Sequence, residues 1–270
     1  MKLITVATDA KGYFPFLIQS CERHNADLII LGKNEKWQGF NWRNHLVLDF
    51  LSSISNPEKE VVCFIDAYDV LLLKDFSTLE DTFKNHPNSK STVIVSYEQI
   101  KSLRAKIGSL YFGKCQGYNI NAGCYIGYAS NIKRILSKIW ESSKHDPKAD
   151  DQVLLANYCR LNPSDITIDT RQEFFSTIVK PFRNIQPSEI PTNPTPFFLH
   201  ANFFTRLDII LLDQNYQYTQ QDKANITRYI WTNAIKKWWY IYILEAILYI
   251  ILLTIILFTI SNVQFIRKRF

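Results

Sequence analysis

The chain has no long basic run and no basic stretch interleaved with aromatic residues, so its net charge of +6 does not describe a surface that tracks nucleic acid. Part of that excess sits at Lys236, Lys237, Arg267, Lys268 and Arg269, around an apolar block. There is no CxxC pair and no zinc-ligand spacing among the five cysteines, Cys21, Cys63, Cys115, Cys124 and Cys159, which excludes a zinc module of the usual spacing. An odd, scattered set is no disulfide framework, and unpaired thiols in a reducing compartment are the expectation. Internal repeats and low-complexity tracts are absent. The segment Met1 to Thr8 lacks a secretory h-region, reaches polar turn residues by Asp9, and reads as a strand.

What is present is an alternation of apolar strands and helical segments. Leu3–Ala7, Asp27–Leu31, Val61–Ile65 and Thr92–Ser96 read as strands. Phe16 to Arg23, Trp42 to Ser52 and Leu79 to Asn85 carry helical spacing between them. This order predicts an α/β domain with a mostly parallel sheet covered on both faces. Further along, Tyr118 to Ala129 reads as a strand with Gly123 and Gly127, and Ile132–Ser142 and Asp151–Tyr158 as helices. Pro187, Pro191, Pro194 and Pro196 mark an extended connector before the short strand Phe197–His200.

The chemistry concentrates at Phe64-Ile65-Asp66-Ala67-Tyr68-Asp69-Val70. A buried strand that ends in two carboxylates places them where α/β sheets bind ligands. Such a pair suits a hard divalent cation that keeps positions open for phosphate oxygens; a plain acidic turn is the other reading. His200 also ends a strand, and its imidazole would complete a mixed carboxylate–nitrogen set of the kind that suits Mn²⁺; a structural hydrogen-bonding role is the alternative. Asn202 and Arg206 follow, and an arginine fork beside a metal-bound diphosphate would neutralise a leaving group. Asp150, Asp151 and Gln152 open a helix, either as favourable charge at its N-terminus or as groups that contact a sugar. Asn121 precedes a strand and is a candidate to bind the substrate or nucleotide, with a plain turn as the alternative. Trp37 and Tyr68 are candidates to stack on a base or sugar, with core packing as the default.

These blocks stand in an order that resembles the glycosyltransferase domain of the multifunctional procollagen lysyl hydroxylases, and more loosely the collagen glycosyltransferases. The resemblance runs over about residues 1–215, through Thr5-Val6-Ala7-Thr8, Gly12-Tyr13, Leu31-Gly32, Glu35-Lys36-Trp37-Gln38-Gly39, and Phe64 to Val70. It resumes at Ser96-Tyr97-Glu98, Asn121-Ala122-Gly123, Ile126 to Ala129, Asp150 to Gln152, Ile168-Asp169, Phe174-Phe175 and His200 to Arg206. It implies a GT-A-like (Rossmann-like) fold that binds a UDP-sugar with Mn²⁺. Asp66, Asp69 and His200 match the metal ligands. Thr5, Val6, Trp37 and Tyr68 fall where the family holds uridine, Asn202 and Arg206 near the diphosphate, and Asp150, Asp151 and Gln152 at the sugar and acceptor side. The implied reaction moves glucose or galactose from the UDP-sugar donor to a collagen-like hydroxylysine or related glycan acceptor.

There are departures. The family's Asn-Ser-Gly-Gly is Asn121-Ala122-Gly123-Cys124, the glycine after the histidine is Ala201, its lysine is Arg206, and the acidic run is shorter. A glycine-rich stretch is replaced by Phe40 to His45, and the hydroxylase domains have no counterpart in these residues. A metal-dependent phosphohydrolase, and a non-catalytic membrane protein that keeps a nucleotide-sugar-binding fold, are the competing readings.

Residues 238–260 are almost wholly apolar, with Glu245 the one charge, Trp238, Trp239, Tyr240 and Tyr242 at one end and Arg267-Lys268-Arg269 beyond the other. That pattern predicts a transmembrane helix in the lipid bilayer. The expected organisation is a domain over 1–215, a juxtamembrane linker over 216–237, the span over 238–260 and a basic tail over 261–270. The expectation is a single-pass membrane protein. Orientation stays open because both flanks are basic, and the sequon Asn225-Ile226-Thr227 is informative only on a luminal side.

Overall fold

The computed structural model describes residues 1–235, 249–251 and 254. They fall into two units, Met1–Ile226 and the C-terminal segment from Thr227. The first holds a nine-stranded mixed sheet. Its strands are β1 (Lys2–Val6), β2 (Leu28–Leu31), β3 (Val61–Ile65), β4 (Val70–Leu72), β5 (Val93–Ile100), β6 (Ile120–Tyr128), β7 (Ile166–Ile168), β8 (Phe175–Val179) and β9 (Phe198–His200). The helices are α1 (Phe14–Arg23), α2 (Phe40–Ser52), α3 (Leu79–Asn85), α4 (Leu103–Phe112), α5 (Ala129–Ser142), α6 (Asp151–Leu161) and α7 (Asp208–Asp213).

The period of two along the strands divides the core into two layers. Ile4, Val6, Val62, Phe64, Val93 and Val95 face one way and pack on Trp42, Val47 and Leu51 of α2, on Ile132, Ile135, Leu136 and Ile139 of α5, and on Leu155 of α6. Leu3, Val61, Cys63, Ile65 and Ile94 face the other way, toward Phe14 and Leu17 of α1 and Leu79 and Phe83 of α3. Phe174, Phe175, Phe197 and Phe198 complete that second layer. The 3.6-residue spacing of Ile132, Ile135, Leu136 and Ile139 is what turns one stripe of α5 to the sheet.

The strand order β2-β1-β3-β6-β5-β8-β9-β4, with β7 beside β5, positions the chemistry. β1 pairs in parallel with β2 and β3, so the Val6–Thr8 end and Asp66 emerge at adjacent carboxyl ends. The sheet is mostly parallel, as expected, with antiparallel entries at β6, beside both β3 and β5, and at β4, beside β9. The sequence pattern does not fix direction here, because a fully buried apolar strand reads alike either way. Register then lines up Glu98 with Thr177, Thr177 with His200, and His200 with Val70, a row across four strands.

One correction concerns sulfur. Cys115 and Cys159 form a disulfide, while Cys21, Cys63 and Cys124 are free and buried. The pair joins the loop before β6 to α6, a proximity made by tertiary structure that the cysteine spacing does not announce. The compact unit also takes in residues that the sequence assigned to a linker. Tyr216 is buried, packs its ring 6.1 Å from Phe16, and receives the Arg23 guanidinium 4.0 Å over its face. Beyond Ile226, residues 227–235 are helical. Among the described residues no helix is long and apolar enough to cross a membrane. The expected span over 238–260 lies outside them, apart from 249–251 and 254.

Candidate metal centre

β3 ends at Ile65, and the Asp66 amide donates to the Gly123 carbonyl at 2.7 Å, which anchors the acidic turn to β6. Four residues later β4 begins, and its ladder with β9 sets Val70 opposite His200; the Ala201 amide donates to the Asp69 carbonyl at 2.8 Å. The consequence is that Asp66, Asp69 and His200 converge. Each offers a ligand atom, and the three atoms lie within 4.8 Å of one another. His200 Nε2 is 3.3 Å from an Asp69 oxygen and 3.7 Å from Asp66 Oδ2.

His200 is fully buried, and its Nε2 has no hydrogen-bond partner among the described residues. A buried polar atom left this way demands an explanation, and a metal ion is one. The other ring nitrogen is held: Nδ1 lies 3.4 Å from Thr177 Oγ1 and 3.7 Å from Cys124 Sγ, and Thr177 is hydrogen-bonded to Ser96 at 2.6 Å. Support at Nδ1 fixes the ring so that Nε2 faces the two carboxylates. Gly123 keeps the space open, since a β-carbon there would sit 2.8 Å from His200 Cε1 and run into the Asp66 carboxylate. Two half-exposed carboxylates, one orphaned imidazole nitrogen and a glycine cradle fit a divalent cation.

Arg43 lies at the heart of the site. One nitrogen of its fork bonds Asp66 Oδ1; the other bonds Asp151 Oδ2 and donates to the Ala122 carbonyl at 3.2 Å. The guanidinium is buried and sits 5.0 Å from the Phe64 ring centre. α2 is docked to carry it there. Gly39 has φ of 141°, and a β-carbon at that position would meet the backbone of Pro147 and Lys148. The Trp42 amide then donates to the Pro147 carbonyl at 3.0 Å, and Asn41 Nδ2 to the Asp146 carbonyl at 2.7 Å. Sequence reasoning passed over Arg43. It precedes Val47 by four residues, on the stripe that α2 buries, but a charged residue at that spacing reads as solvated until its partners are seen.

Glu98 is the second residue that received no role. Its Oε1 accepts from three carboxamides: Asn202 at 2.6 Å, Gln152 at 3.0 Å and Asn121 at 3.3 Å. All three had been singled out as substrate-facing residues, and the structure gathers them on one carboxylate. Burial, the dominant influence, raises the pKa of Glu98 despite those bonds.

The remaining candidates divide. Asp151 is buried and paired with Arg43, whereas Asp150 caps α6, accepting from the Val153 amide at 3.0 Å. Thr5 is buried, with its hydroxyl on the Ile65 carbonyl at 2.7 Å, and Val6 is core. Tyr68 is half-buried, and its hydroxyl accepts from the Thr8 amide at 2.9 Å. Its ring lies edge-on to Phe14 and under Lys11 Nζ at 4.9 Å. Trp37 is exposed and meets Phe40 and Trp42 edge-on. Arg206 is held by Asp208, at 2.8 Å from Nε and 2.7 Å from a terminal nitrogen.

Residues 1–225 match the family described as the PLOD GT domain. The chain is 26% identical over 233 residues to procollagen-lysine,2-oxoglutarate 5-dioxygenase 1 of Gallus gallus, covering 77% of this chain and 30% of that protein. It is 25% identical over 162 residues to the multifunctional procollagen lysine hydroxylase and glycosyltransferase of Caenorhabditis elegans, covering 56% of this chain and 21% of that protein. The chain thus spans a third or less of these curated relatives. Among solved structures it is similar to a glycosyltransferase involved in glycosylation of the major capsid of PBCV-1, with a TM-score of 0.46, 10% identity, and coverage of 74% of this chain and 93% of that one. It is also similar to galactosyltransferase LgtC in complex with donor and acceptor sugar analogues, with a TM-score of 0.42, 15% identity, and coverage of 74% and 86%.

Proposed function

The chain belongs to the PLOD GT domain family of glycosyltransferases, and from that premise we propose that it transfers a hexose, glucose or galactose, from a UDP-sugar with Mn²⁺ in a GT-A-like site. The observation that carries the reading is the convergence of Asp66, Asp69 and His200, with the His200 Nε2 buried and unpartnered between the carboxylates. A divalent cation held there would supply positive charge to a departing diphosphate. The protein's own part is positional. Tyr68 and the β1 carboxyl end with Thr5 and Val6 border the uridine position, Trp37 offers an exposed aromatic face, and Asn202 and Arg206 follow the metal histidine toward the diphosphate. Asp151, oriented by Arg43, and Gln152 and Asn121, oriented by Glu98, face the sugar and acceptor.

The acceptor is a collagen-like hydroxylysine or a related glycan; the names of the procollagen-lysine hydroxylase relatives support that choice. The disulfide supports an oxidising compartment, where such bonds persist. The apolar sequence over 238–260 supports a bilayer anchor, which carbonate extraction of the full chain would test. The deciding experiment for function measures UDP release over a set of UDP-sugars with Mn²⁺, with and without a hydroxylysine-containing collagen peptide. Acceptor-stimulated release of UDP is the expected result; release from no UDP-sugar would reject the reading.

A further inference from the structure

Arg43 is shared by two carboxylates that the reaction would use differently. Asp66 gives Oδ1 to Arg43 and turns Oδ2 toward His200 Nε2, 3.7 Å away. Asp151 lies on α6 and takes the other arm of the fork. The bond to Asp151 is shielded from water, with both residues 5% exposed, and the bond to Asp66 is partly buried, its carboxylate reaching the surface. The fork is otherwise committed, with the Ala122 carbonyl on the same nitrogen as Asp151, and its Nε has no partner among the described residues. A single buried cation therefore balances two anions, and what happens at one is felt at the other.

We propose that Arg43 is a positioning residue that couples cation binding at Asp66 to the hold on Asp151. This rests on the metal reading given above. A cation on Asp66 Oδ2 withdraws negative charge from the carboxylate that Arg43 grips through Oδ1. The guanidinium is then held less by Asp66 and more by Asp151, which fixes the sugar-side carboxylate when the metal is present. By linkage the effect runs both ways. Neutralising Asp151 throws the whole guanidinium charge onto Asp66, and the cation must compete with it. Lysine cannot replace the fork, because an ammonium is a point charge rather than a planar two-armed donor.

A double-mutant cycle on the full chain tests this, read as Mn²⁺ affinity by electron paramagnetic resonance of the free ion. The chains are wild type, D151N, R43Q and R43Q/D151N. D151N is expected to weaken Mn²⁺ binding, and the factor is expected to exceed the one that D151N causes in the R43Q background by about threefold or more. The cycle subtracts the through-space loss of the Asp151 charge, which is present in both backgrounds. Equal factors in the two backgrounds, or no effect of D151N, would overturn the coupling. If R43Q fails to fold, R43K takes its place: the charge is kept, the fork is lost, and the factor for D151N should again shrink. At saturating Mn²⁺, R43K is also expected to lower kcat toward the D151N value with donor KM unchanged, a split that a general loosening of the fold would not give. A wild-type chain that binds no Mn²⁺ overturns the metal reading and the coupling together; binding without coupling overturns only the role of Arg43.

Discussion

Gly123 lies beneath His200 so closely that a β-carbon added to it would stand 2.8 Å from the imidazole Cε1 and inside the reach of the Asp66 carboxylate. The position is in the buried β6 strand and His200 is fully buried, so the imidazole cannot move aside into solvent. Gly123→Ala should therefore displace the metal-facing side chains before it disturbs the rest of the core. We expect Mn²⁺ affinity to fall by about 10–100-fold, the range seen when groups that orient metal ligands are lost. Stability should drop by about 1–3 kcal/mol from overpacking. Isothermal titration alongside a denaturant curve measures both; unchanged Mn²⁺ affinity would place the cation elsewhere.

Asp69 is the cleaner of the two carboxylates to remove, because Asp66 is also gripped by Arg43. Its side chain is 28% exposed, at the rim of the crevice. Asp69→Ala should abolish Mn²⁺-dependent retention of UDP while the thermal midpoint stays close to wild type. Wild-type UDP affinity in this variant, with metal present, would count against the assignment.

Asp150 and Asp151 are adjacent in sequence but separated in role. The Asp150 side chain caps α6, so Asp150→Ala should cost about 1 kcal/mol of stability. Asp151 is paired with Arg43 and is proposed to face the sugar, and a group that acts in the transition state shows its loss in kcat rather than in donor KM. At saturating Mn²⁺, Asp151→Asn should accordingly lower kcat well below that of Asp150→Ala, with donor KM little changed. Steady-state kinetics on a verified acceptor would decide, and equal losses in the two variants would leave Asp151 with a structural role only.

Glu98 predicts a pH dependence of stability. Burial raises its pKa above the ordinary 4.5, so the folded chain keeps this proton at pH values where the unfolded chain has released it. The folded state binds more protons across that interval, and the contribution of Glu98 to stability therefore declines as pH rises from about 4.5 through the raised value. Glu98→Gln removes the ionisation and keeps an oxygen for the three carboxamides. The stability of Glu98→Gln relative to wild type should be greater at pH 7 than at pH 4, by comparison of urea midpoints. A difference that does not change with pH would mean that the carboxylate is adequately stabilised by Asn121, Gln152 and Asn202.

Much of this site was legible because its parts are local. Val61–Ile65 followed by Asp66 and Asp69 is one contiguous stretch, and the apolar run before His200 announced a strand end. Helix α3 was read at its observed bounds, and α5 to within three residues at its start, since amphipathic spacing needs no tertiary information. The β4–β9 pairing was hidden because three-residue strands carry too little pattern. Glu98 and Arg43 were hidden for a different reason. A charged residue in sequence reads as solvated, and only the surrounding amides or carboxylates reveal that it is buried and satisfied. The antiparallel entry of β6 and the Cys115–Cys159 bond share that dependence on long-range contact.

The disulfide yields the last prediction. Cys115 and Cys159 are separated by 44 positions, and cross-linking a loop of that size is worth about 4 kcal/mol in the chain-entropy account, with about 2–4 typical in practice. Cys159 lies on α6, whose first turn carries Asp151 and Gln152, and the partner loop is also held by Gln116, whose amide donates to the Pro163 and Ile166 carbonyls at 3.0 Å. The proposed metal ligands come from other elements, the β3–β4 turn and β9. Replacing both cysteines by serine should thus lower stability by about 2–4 kcal/mol and reduce kcat, because the helix that presents Asp151 loses a tether, while Mn²⁺-dependent UDP affinity is preserved. Denaturant unfolding, titration with UDP and turnover measured on the same double variant separate these effects. Loss of UDP affinity in step with turnover would show that the tether supports the whole crevice rather than its sugar side.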